Sequence, residues 1–104
     1  MSDAIEVADN PQATRFELSL NGKVVGFADY ILKGGTIILT HTEVQPEFEG
    51  RGLAARLART ALDAARDAGL TVIPRCPYIA SYIERHPEYA DLLARSAKDS
   101  TSES

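Results

Sequence analysis

Two glycines before a long amphipathic segment are the first chemically informative feature of the sequence. Gly50 and Gly52 flank Arg51, and Pro46 ends the preceding β-rich run because it lacks the N–H that a sheet needs. Glycine lets the backbone approach a ligand closely, and the first turn of a helix leaves about four N–H groups without intrahelical acceptors. These donors and the positive end of the helix dipole attract anions. The segment therefore predicts a binding site for a pyrophosphate group.

The same glycines allow two other interpretations. One is a tight strand-to-helix turn that binds no ligand. The other is a dinucleotide fingerprint, because residues 50–55 nearly spell G-x-G-x-x-A. That motif requires a parallel βαβ unit and an acidic residue about 20 positions further on. Asp67 falls inside the following helix and the preceding strands have the pattern of hairpins, so the dinucleotide interpretation is disfavoured.

Three further side chains suit proton transfer or nucleophilic attack. His41 and Glu43 are two positions apart on a predicted strand, so they share one face, and either can take a proton from an ammonium group. A polar pair that closes the end of a strand is an equally good alternative. Cys76, the single cysteine, is a candidate nucleophile or thiol acid, whereas many lone cysteines are simply small buried hydrophobic residues.

The composition is that of one small soluble domain. The chain has 104 residues, of which 44% are hydrophobic and 25% charged. A net charge of −4 disfavours nucleic acid or an anionic membrane surface as a partner, and no apolar run approaches the ~18 residues of a membrane span. One cysteine and no visible secretory signal suit the cytoplasm. The two histidines lie far apart and have no metal-ligand spacing, so no metal is expected.

The first half of the chain predicts an antiparallel meander. Asn21-Gly22 is a strong hairpin signal, and the other connection, residues 33–35, is also too short for anything but antiparallel neighbours. Gly26 indicates a bulge or a close backbone approach. Residues 1–10 have few apolar anchors and predict either a short edge strand or a frayed end. The three strands predicted from alternation and β propensity are residues 14–20, 23–32 and 36–44.

The second half predicts a crossover helix and a parallel strand. Residues 52–68 carry an apolar stripe opposite charged residues, and Gly69 is a natural terminator. A helix of that length allows the next strand, residues 70–73, to pair in parallel with the third. Two short helical segments follow, over residues 79–85 and from Pro87, the second with Tyr89, Leu92 and Leu93 facing inward. Residues 96–104 predict a disordered polar tail, which leaves 1–95 as a single domain.

The glycine loop resembles motif A of the GCN5-related N-acetyltransferase (GNAT) superfamily, V-x-P-x-x-[Q/R]-x-x-G-x-[G/A]. Glu49 departs from the pattern, because the superfamily has Gln or Arg there. The segments 41–44 and 76–89 also resemble the small YjdJ-type branch of the superfamily. Four residues match motif A, and two more are usual at their places: Val44, Pro46, Gly52 and Ala54, with Gly50 and Arg51.

The resemblance covers about residues 14–93 and implies a minimal GNAT fold of the α+β (α/β) class. Such a fold has an antiparallel three-stranded meander followed by a helix, a parallel strand and short C-terminal helices. It also implies acetyl-CoA as cosubstrate, with its pyrophosphate on the backbone amides of the glycine loop. The implied cofactor-binding residues are Val44, Gly50, Arg51, Gly52, Leu53 and Ala54.

The implied activity is acyl transfer from a CoA thioester to an amine. Tyr82 lies where many members carry the tyrosine that protonates the departing thiolate, with Tyr78 as a weaker substitute, and Cys76 falls beside the expected thioester. With His41 or Glu43 as base, direct attack by the amine is favoured over a cysteine acyl-enzyme. The acceptor is an unknown small-molecule amine or protein lysine, and a free sheet edge allows a homodimer.

A second class of function is a non-catalytic module of the same fold that binds CoA or acyl-CoA, or serves as an interaction surface. Glu49 favours this alternative, because a carboxylate near a pyrophosphate weakens binding unless it points away. Release of free CoA thiol in the presence of amines distinguishes the enzyme from the module.

Overall fold

The computed structural model describes residues 4–93 and contains one five-stranded sheet in the order β1-β2-β3-β4-β5. The first four strands are antiparallel neighbours and the last pair is parallel. The strands are β1 (Ile5–Asn10), β2 (Arg15–Leu20), β3 (Lys23–Lys33), β4 (Thr36–Val44) and β5 (Thr71–Pro74). The helices are α1 (Leu53–Asp67) and α2 (Pro77–Arg85), with short 3₁₀ turns at Pro46–Phe48 and Pro87–Leu92.

The predicted meander, crossover helix and parallel strand are confirmed, with one more strand than predicted. Residues 5–10 form a true edge strand because their backbone pairs with β2 along its whole length. The helix α2 begins at Pro77, two residues earlier than predicted, because proline suits the first turn of a helix. Pro74 does not end the strand early: it is the last residue of β5, opposite Leu39. The polar tail predicted over residues 96–104 lies outside the described residues.

The core lies between α1 and one face of the sheet. Leu57, Ala58, Ala61 and Leu62 of α1 are fully buried, and their small and branched side chains bring the helix close to the strands. The sheet residues buried beneath them alternate along each strand, as expected for a half-buried sheet. They include Phe16, Leu18, Leu20, Ala28, Tyr30, Ile37, Leu39 and Val44. The intervening residues of β2, β3 and β4 form the opposite face, which is half-buried or exposed.

Two irregularities in the sheet determine which side chains reach that opposite face. The register between β3 and β4 shifts at Thr40, so that Leu39 and Val44 both point into the core although they are five positions apart. His41 and Glu43 consequently point away from α1. A second shift lies beside Gly26, where a Cβ added to the glycine would be 3.0 Å from the Glu43 carbonyl oxygen. The close approach predicted at Gly26 is therefore confirmed.

The C-terminal segment is fastened to α1 by polar bonds. The Tyr89 hydroxyl donates to Asp63 at 2.7 Å, and Arg66 donates to Asp91 at 2.8 Å and to the Glu88 carbonyl at 2.8 Å. Tyr89 and Leu92 face inward as predicted, and Leu93 forms an isolated bridge with Val72. No helix within residues 4–93 is long and apolar enough to cross a membrane.

Two buried phenols should make the fold sensitive to alkali. Burial, with a hydrogen bond to Asp9 or Asp63, raises the pKa of Tyr30 and of Tyr89 to about 12. The folded chain therefore binds both protons more tightly than the unfolded chain, whose phenols titrate near pH ~10. This contribution to stability is fully present below pH ~10 and is lost as the pH rises toward ~12.

We expect the melting temperature of the wild-type chain to fall over that alkaline range, and to fall less in a Tyr30→Phe, Tyr89→Phe variant. The variant loses two hydrogen bonds and starts from a lower melting temperature at neutral pH. Thermal melts followed by circular dichroism between pH 7 and about pH 12 measure both slopes. Equal slopes in the two proteins would contradict the assignment to these phenols.

Candidate functional site

The glycine loop presents backbone donors at the start of α1. Gly50 and Gly52 have φ of 86° and 76°, a left-handed conformation that most other residues adopt only with strain. The Gly52 carbonyl accepts the first intrahelical hydrogen bond, from the Arg56 N–H at 3.1 Å, and no side chain caps the helix. The N–H groups of the first turn therefore have no intrahelical acceptor. A Cβ built on either glycine would meet nothing within 4 Å, so the space above these donors is open.

A cavity of about 230 Å³ lies over this loop. Five of the six residues predicted to bind the cofactor line it, while the Arg51 guanidinium instead lies 5.6 Å from the centroid of the Phe48 ring. Glu49 also belongs to the wall, so an acidic residue lies next to the predicted anion site. The complete lining is Val44, Phe48, Glu49, Gly50, Gly52, Leu53, Ala54, Ala55 and Tyr78.

The sheet opens next to this cavity. β4 and β5 pair only as far as Leu39 and Pro74, after which the Cys76 N–H donates to the Leu39 carbonyl at 2.9 Å. Residues 40–44 of β4 keep β3 on one side, but no described strand pairs with them on the other. Backbone groups along this edge are thus able to bond an extended ligand that enters from the glycine loop.

Cys76 lies at the point where the two strands separate. Its side chain is buried, with 3% of the residue exposed, and the thiol is 3.5 Å from the Thr42 hydroxyl. Thr42 points to the α1 side of β4, so the thiol is on the same side as the glycine loop. Cys76 lies two residues after the end of β5, and the structure gives its thiol a hydroxyl partner.

His41 and Glu43 form a hydrogen-bonded pair on the other side of β4. His41 Nε2 and Glu43 Oε1 are 3.0 Å apart, and the two side chains are 56% and 60% exposed. The Phe27 ring lies 6.0 Å from the His41 ring, on the same face of the sheet. The structure therefore confirms the shared face and places the pair where solvent and a substrate can reach it.

Tyr82 is placed differently from the other candidates. It is 5% exposed, its ring stacks on His86 with centroids 3.9 Å apart, and it is not part of the cavity wall. Tyr78, on the first turn of α2, does line the cavity, and burial raises the pKa of its phenol, as it does for Tyr82. The resemblance pointed to Tyr82 with Tyr78 as a weaker substitute, and residues 78 and 82 lie one turn apart on the same side of α2.

Within residues 4–93, no group of three or more His, Cys, Asp or Glu side chains is arranged to hold a metal ion.

The site consists of a donor loop on one side of β4, a thiol at the opening of the sheet and an acid–base pair on the other side. An open α+β sheet with such a loop before its crossover helix defines the class of GNAT-fold proteins.

The chain belongs to the GCN5-related N-acetyl-transferase family, whose sequence profile matches residues 15–92. It is 35% identical over 89 residues to Protein NATD1 of Xenopus tropicalis, covering 83% of this chain and 81% of that protein. It is 34% identical over 86 residues to the human Protein NATD1, covering 80% of this chain and 75% of the relative.

Solved structures have the same fold. A GCN5-like putative N-acetyltransferase from Staphylococcus aureus superposes with a TM-score of 0.66 at 21% identity, covering 86% of this chain and 87% of the other. The ribosomal-protein-S18-alanine N-acetyltransferase from Escherichia coli superposes with a TM-score of 0.54 at 25% identity. The matched region makes up 56% of this chain and 38% of the bacterial enzyme.

Proposed function

We propose that the chain is a cytoplasmic N-acyltransferase that transfers an acetyl group from acetyl-CoA to an amine. The observation that carries the proposal is the cavity over the glycine loop, which adjoins the opening between β4 and β5. Family membership supports the same reaction class, and the E. coli neighbour is by its description an N-acetyltransferase.

The loop fits the pyrophosphate of acetyl-CoA. First-turn N–H groups of α1 supply hydrogen-bond donors, and the helix dipole adds positive potential. Both loop glycines leave open space where a side chain would begin. The part of acetyl-CoA between its pyrophosphate and its thioester then lies along residues 40–44 of β4. On the β5 side, the backbone edge of these residues has no described strand partner. Glu49 is accommodated if its exposed carboxylate turns toward solvent.

The reaction needs a base for the amine and an acid for the departing thiolate. His41, oriented by its bond to Glu43, accepts the amine proton on the exposed face. The amine lone pair then forms a C–N bond to the acyl carbon, the C–S bond breaks, and a proton moves to the CoA sulfur. Cys76 at the opening and Tyr78 in the cavity wall are the better placed proton donors, whereas Tyr82 stacks on His86.

A covalent route uses the same groups. The Cys76 sulfur attacks the acyl carbon, the C–S bond to CoA breaks, and the thiol proton passes to the departing CoA sulfur. The amine then attacks the resulting cysteine thioester, the C–S bond to Cys76 breaks, and the amine proton returns to the cysteine sulfur through His41. The thiol is positioned for this step by its contact with Thr42 at 3.5 Å. Direct attack is the favoured route because it requires only a proton from Cys76, a residue that is 3% exposed, and no bond between its sulfur and the acyl carbon.

Replacing Cys76 by Ala tests the function and separates the routes. With acetyl-CoA and a panel of amines, we expect the wild type to release CoA thiol, and Cys76→Ala to bind acetyl-CoA normally but turn over about 10²-fold more slowly, as for loss of a general acid. Direct attack predicts no acetylated wild-type protein by intact mass when the acceptor is omitted. An acetyl adduct that disappears in Cys76→Ala establishes the covalent route instead.

The non-catalytic module is the second candidate, and the position of Glu49, an acidic residue, in the cavity wall is the observation that favours it. Binding of acetyl-CoA by calorimetry without thiol release for any amine supports the module. Absence of binding overturns the enzyme and the CoA-binding form of the module, because each depends on the glycine loop, and leaves only an interaction surface.

A further inference from the structure

A second cavity, of about 330 Å³, lies beside the His41–Glu43 pair. Its wall includes Phe27 and Glu43, which point to the sheet face opposite α1, and it is separated by β4 from the cavity over the glycine loop. The sheet thus divides a donor side from an acceptor side. The residues that line this second cavity are Arg15, Val24, Val25, Gly26, Phe27, Glu43 and Gln45.

Arg15 is held in a fixed position at this cavity. Its Nε donates to Glu17 Oε2 at 2.9 Å, and its guanidinium carbon lies 4.8 Å from the centroid of the Phe27 ring. Hydrogen bonds from Arg15 and Asn10 lower the pKa of Glu17, which keeps this partner ionised. The two terminal nitrogens of the guanidinium make no hydrogen bond to any described residue. A guanidinium that is fixed through Nε and presents both terminal nitrogens is suited to bind a carboxylate with two hydrogen bonds.

The opposite wall carries the complementary charge. Glu43 is the partner of Phe27 in the β3–β4 register, so the ring lies between the Arg15 cation and the Glu43 carboxylate. One Glu43 oxygen bonds His41, and the side chain remains 60% exposed. Phe27 and Val24 supply an apolar surface between these charges. A ligand with a carboxylate at one end and an ammonium at the other matches this arrangement.

We propose that this cavity is the acceptor site and that the acceptor is a small amine that also carries a carboxylate, an amino acid or a close analogue. Its carboxylate binds the terminal nitrogens of Arg15, its side chain packs on Phe27, and its amine reaches the His41–Glu43 pair. A polyamine fits less well because it has no carboxylate to accept the two hydrogen bonds that the terminal nitrogens of Arg15 offer. This inference rests on the proposed acetyl transfer and specifies its substrate.

The first test compares acceptors that differ only in the carboxylate. Purified wild-type protein with acetyl-CoA is assayed against the proteinogenic amino acids, and the best of them against its amide and its decarboxylated amine. We expect the free acid to have a kcat/KM at least about tenfold higher, the effect of one charge-assisted hydrogen-bonded pair. An amide or amine that reacts as well as the acid overturns the proposal.

The second test removes the guanidinium. Arg15→Gln should raise KM for the amino acid about tenfold with kcat nearly unchanged, and should leave the amide and the amine unaffected. Lys33→Gln, an equal change of charge at the far end of β3, should change none of these values. A merely structural role for Arg15 would lower the rates with all three acceptors together, and that result contradicts the proposal.

A binding measurement separates this inference from the proposed function. With CoA present, the amino acid should shift the amide resonances of Gly26 and Phe27 in wild type but not in Arg15→Gln. If acetyl-CoA binds and a polyamine or a peptide lysine is acetylated while amino acids are not, the acceptor inference fails and the acetyltransferase proposal stands. If acetyl-CoA itself does not bind, the proposed function fails.

Discussion

Replacing Gly52 by Asp should raise the dissociation constant of acetyl-CoA about 100-fold. Gly52 precedes the first turn of α1, and open space lies where its side chain would begin. An aspartate there places a carboxylate among the N–H donors that the pyrophosphate requires. Loss of two charge-assisted hydrogen bonds, each worth about 1.5 kcal/mol, gives that factor, and repulsion between the anions adds to it. Isothermal titration with acetyl-CoA measures the change.

Gly69 offers a matched control at the other end of the same helix. It has a φ of 71°, close to the 76° of Gly52, and its Cβ position is also open. Gly69→Asp therefore introduces the same charge and a similar backbone strain of about 1–2 kcal/mol, but away from the glycine loop. We expect both variants to melt at a lower temperature and only Gly52→Asp to lose the ligand. Equal affinities in the two variants would disprove the anion site.

Gly26→Ala adds only one methyl group, yet we expect it to lower the stability of the fold more than the same substitution at any other described glycine outside the left-handed region. The new Cβ would be 3.0 Å from the Glu43 carbonyl oxygen, 3.1 Å from Val44 Cγ2 and 3.4 Å from Leu57 Cδ1. The nearest atom belongs to the backbone of β4, so it can move only with the strand. Overpacking of this kind costs about 1–3 kcal/mol, which corresponds to a fall in melting temperature of roughly 5–15 °C.

Gly35→Ala is the control for this substitution. Its Cβ would meet nothing within 4 Å, and its φ lies outside the left-handed region, so an alanine is accommodated without strain. We expect a melting temperature equal to or slightly above that of the wild type, because alanine reduces the entropy of the unfolded chain. Thermal melts of Gly26→Ala and Gly35→Ala, followed by circular dichroism, test both expectations. A Gly26→Ala protein as stable as Gly35→Ala would mean that β3 and β4 do not approach as closely as described.

Much of the fold could be predicted from local signals. Asn21-Gly22 determines a hairpin, because Asn21 and Gly22 adopt φ of 53° and 86°. The apolar stripe of α1 predicted its buried face, and the helix length predicted the parallel pairing of β5. Local signals do not decide between an edge strand and a frayed end for β1, since its few apolar residues are only partly buried and its stability comes from backbone pairing with β2.

The candidate site was predictable only in part. The glycine loop could be predicted because the motif and the glycines that its backbone conformation requires lie in one contiguous segment. The resemblance favoured Tyr82 over Tyr78 as the proton donor, and both phenols lie on one side of a short helix. Only packing shows that Tyr82 stacks on His86 while Tyr78 reaches the cavity. The second cavity is not predictable from local patterns because Arg15, Phe27 and Glu43 come from three different strands.

The sequence by itself therefore determined the strand and helix pattern, the glycine loop and the shared face of His41 and Glu43. Each of these depends on neighbours along the chain, whose geometry is set by backbone dihedrals and periodicity. Only the tertiary structure decided which face of the sheet His41 and Glu43 share. The register shift at Thr40 turns His41 away from Leu39 and α1, and such a shift is set by how β4 pairs with β3 and packs under the helix.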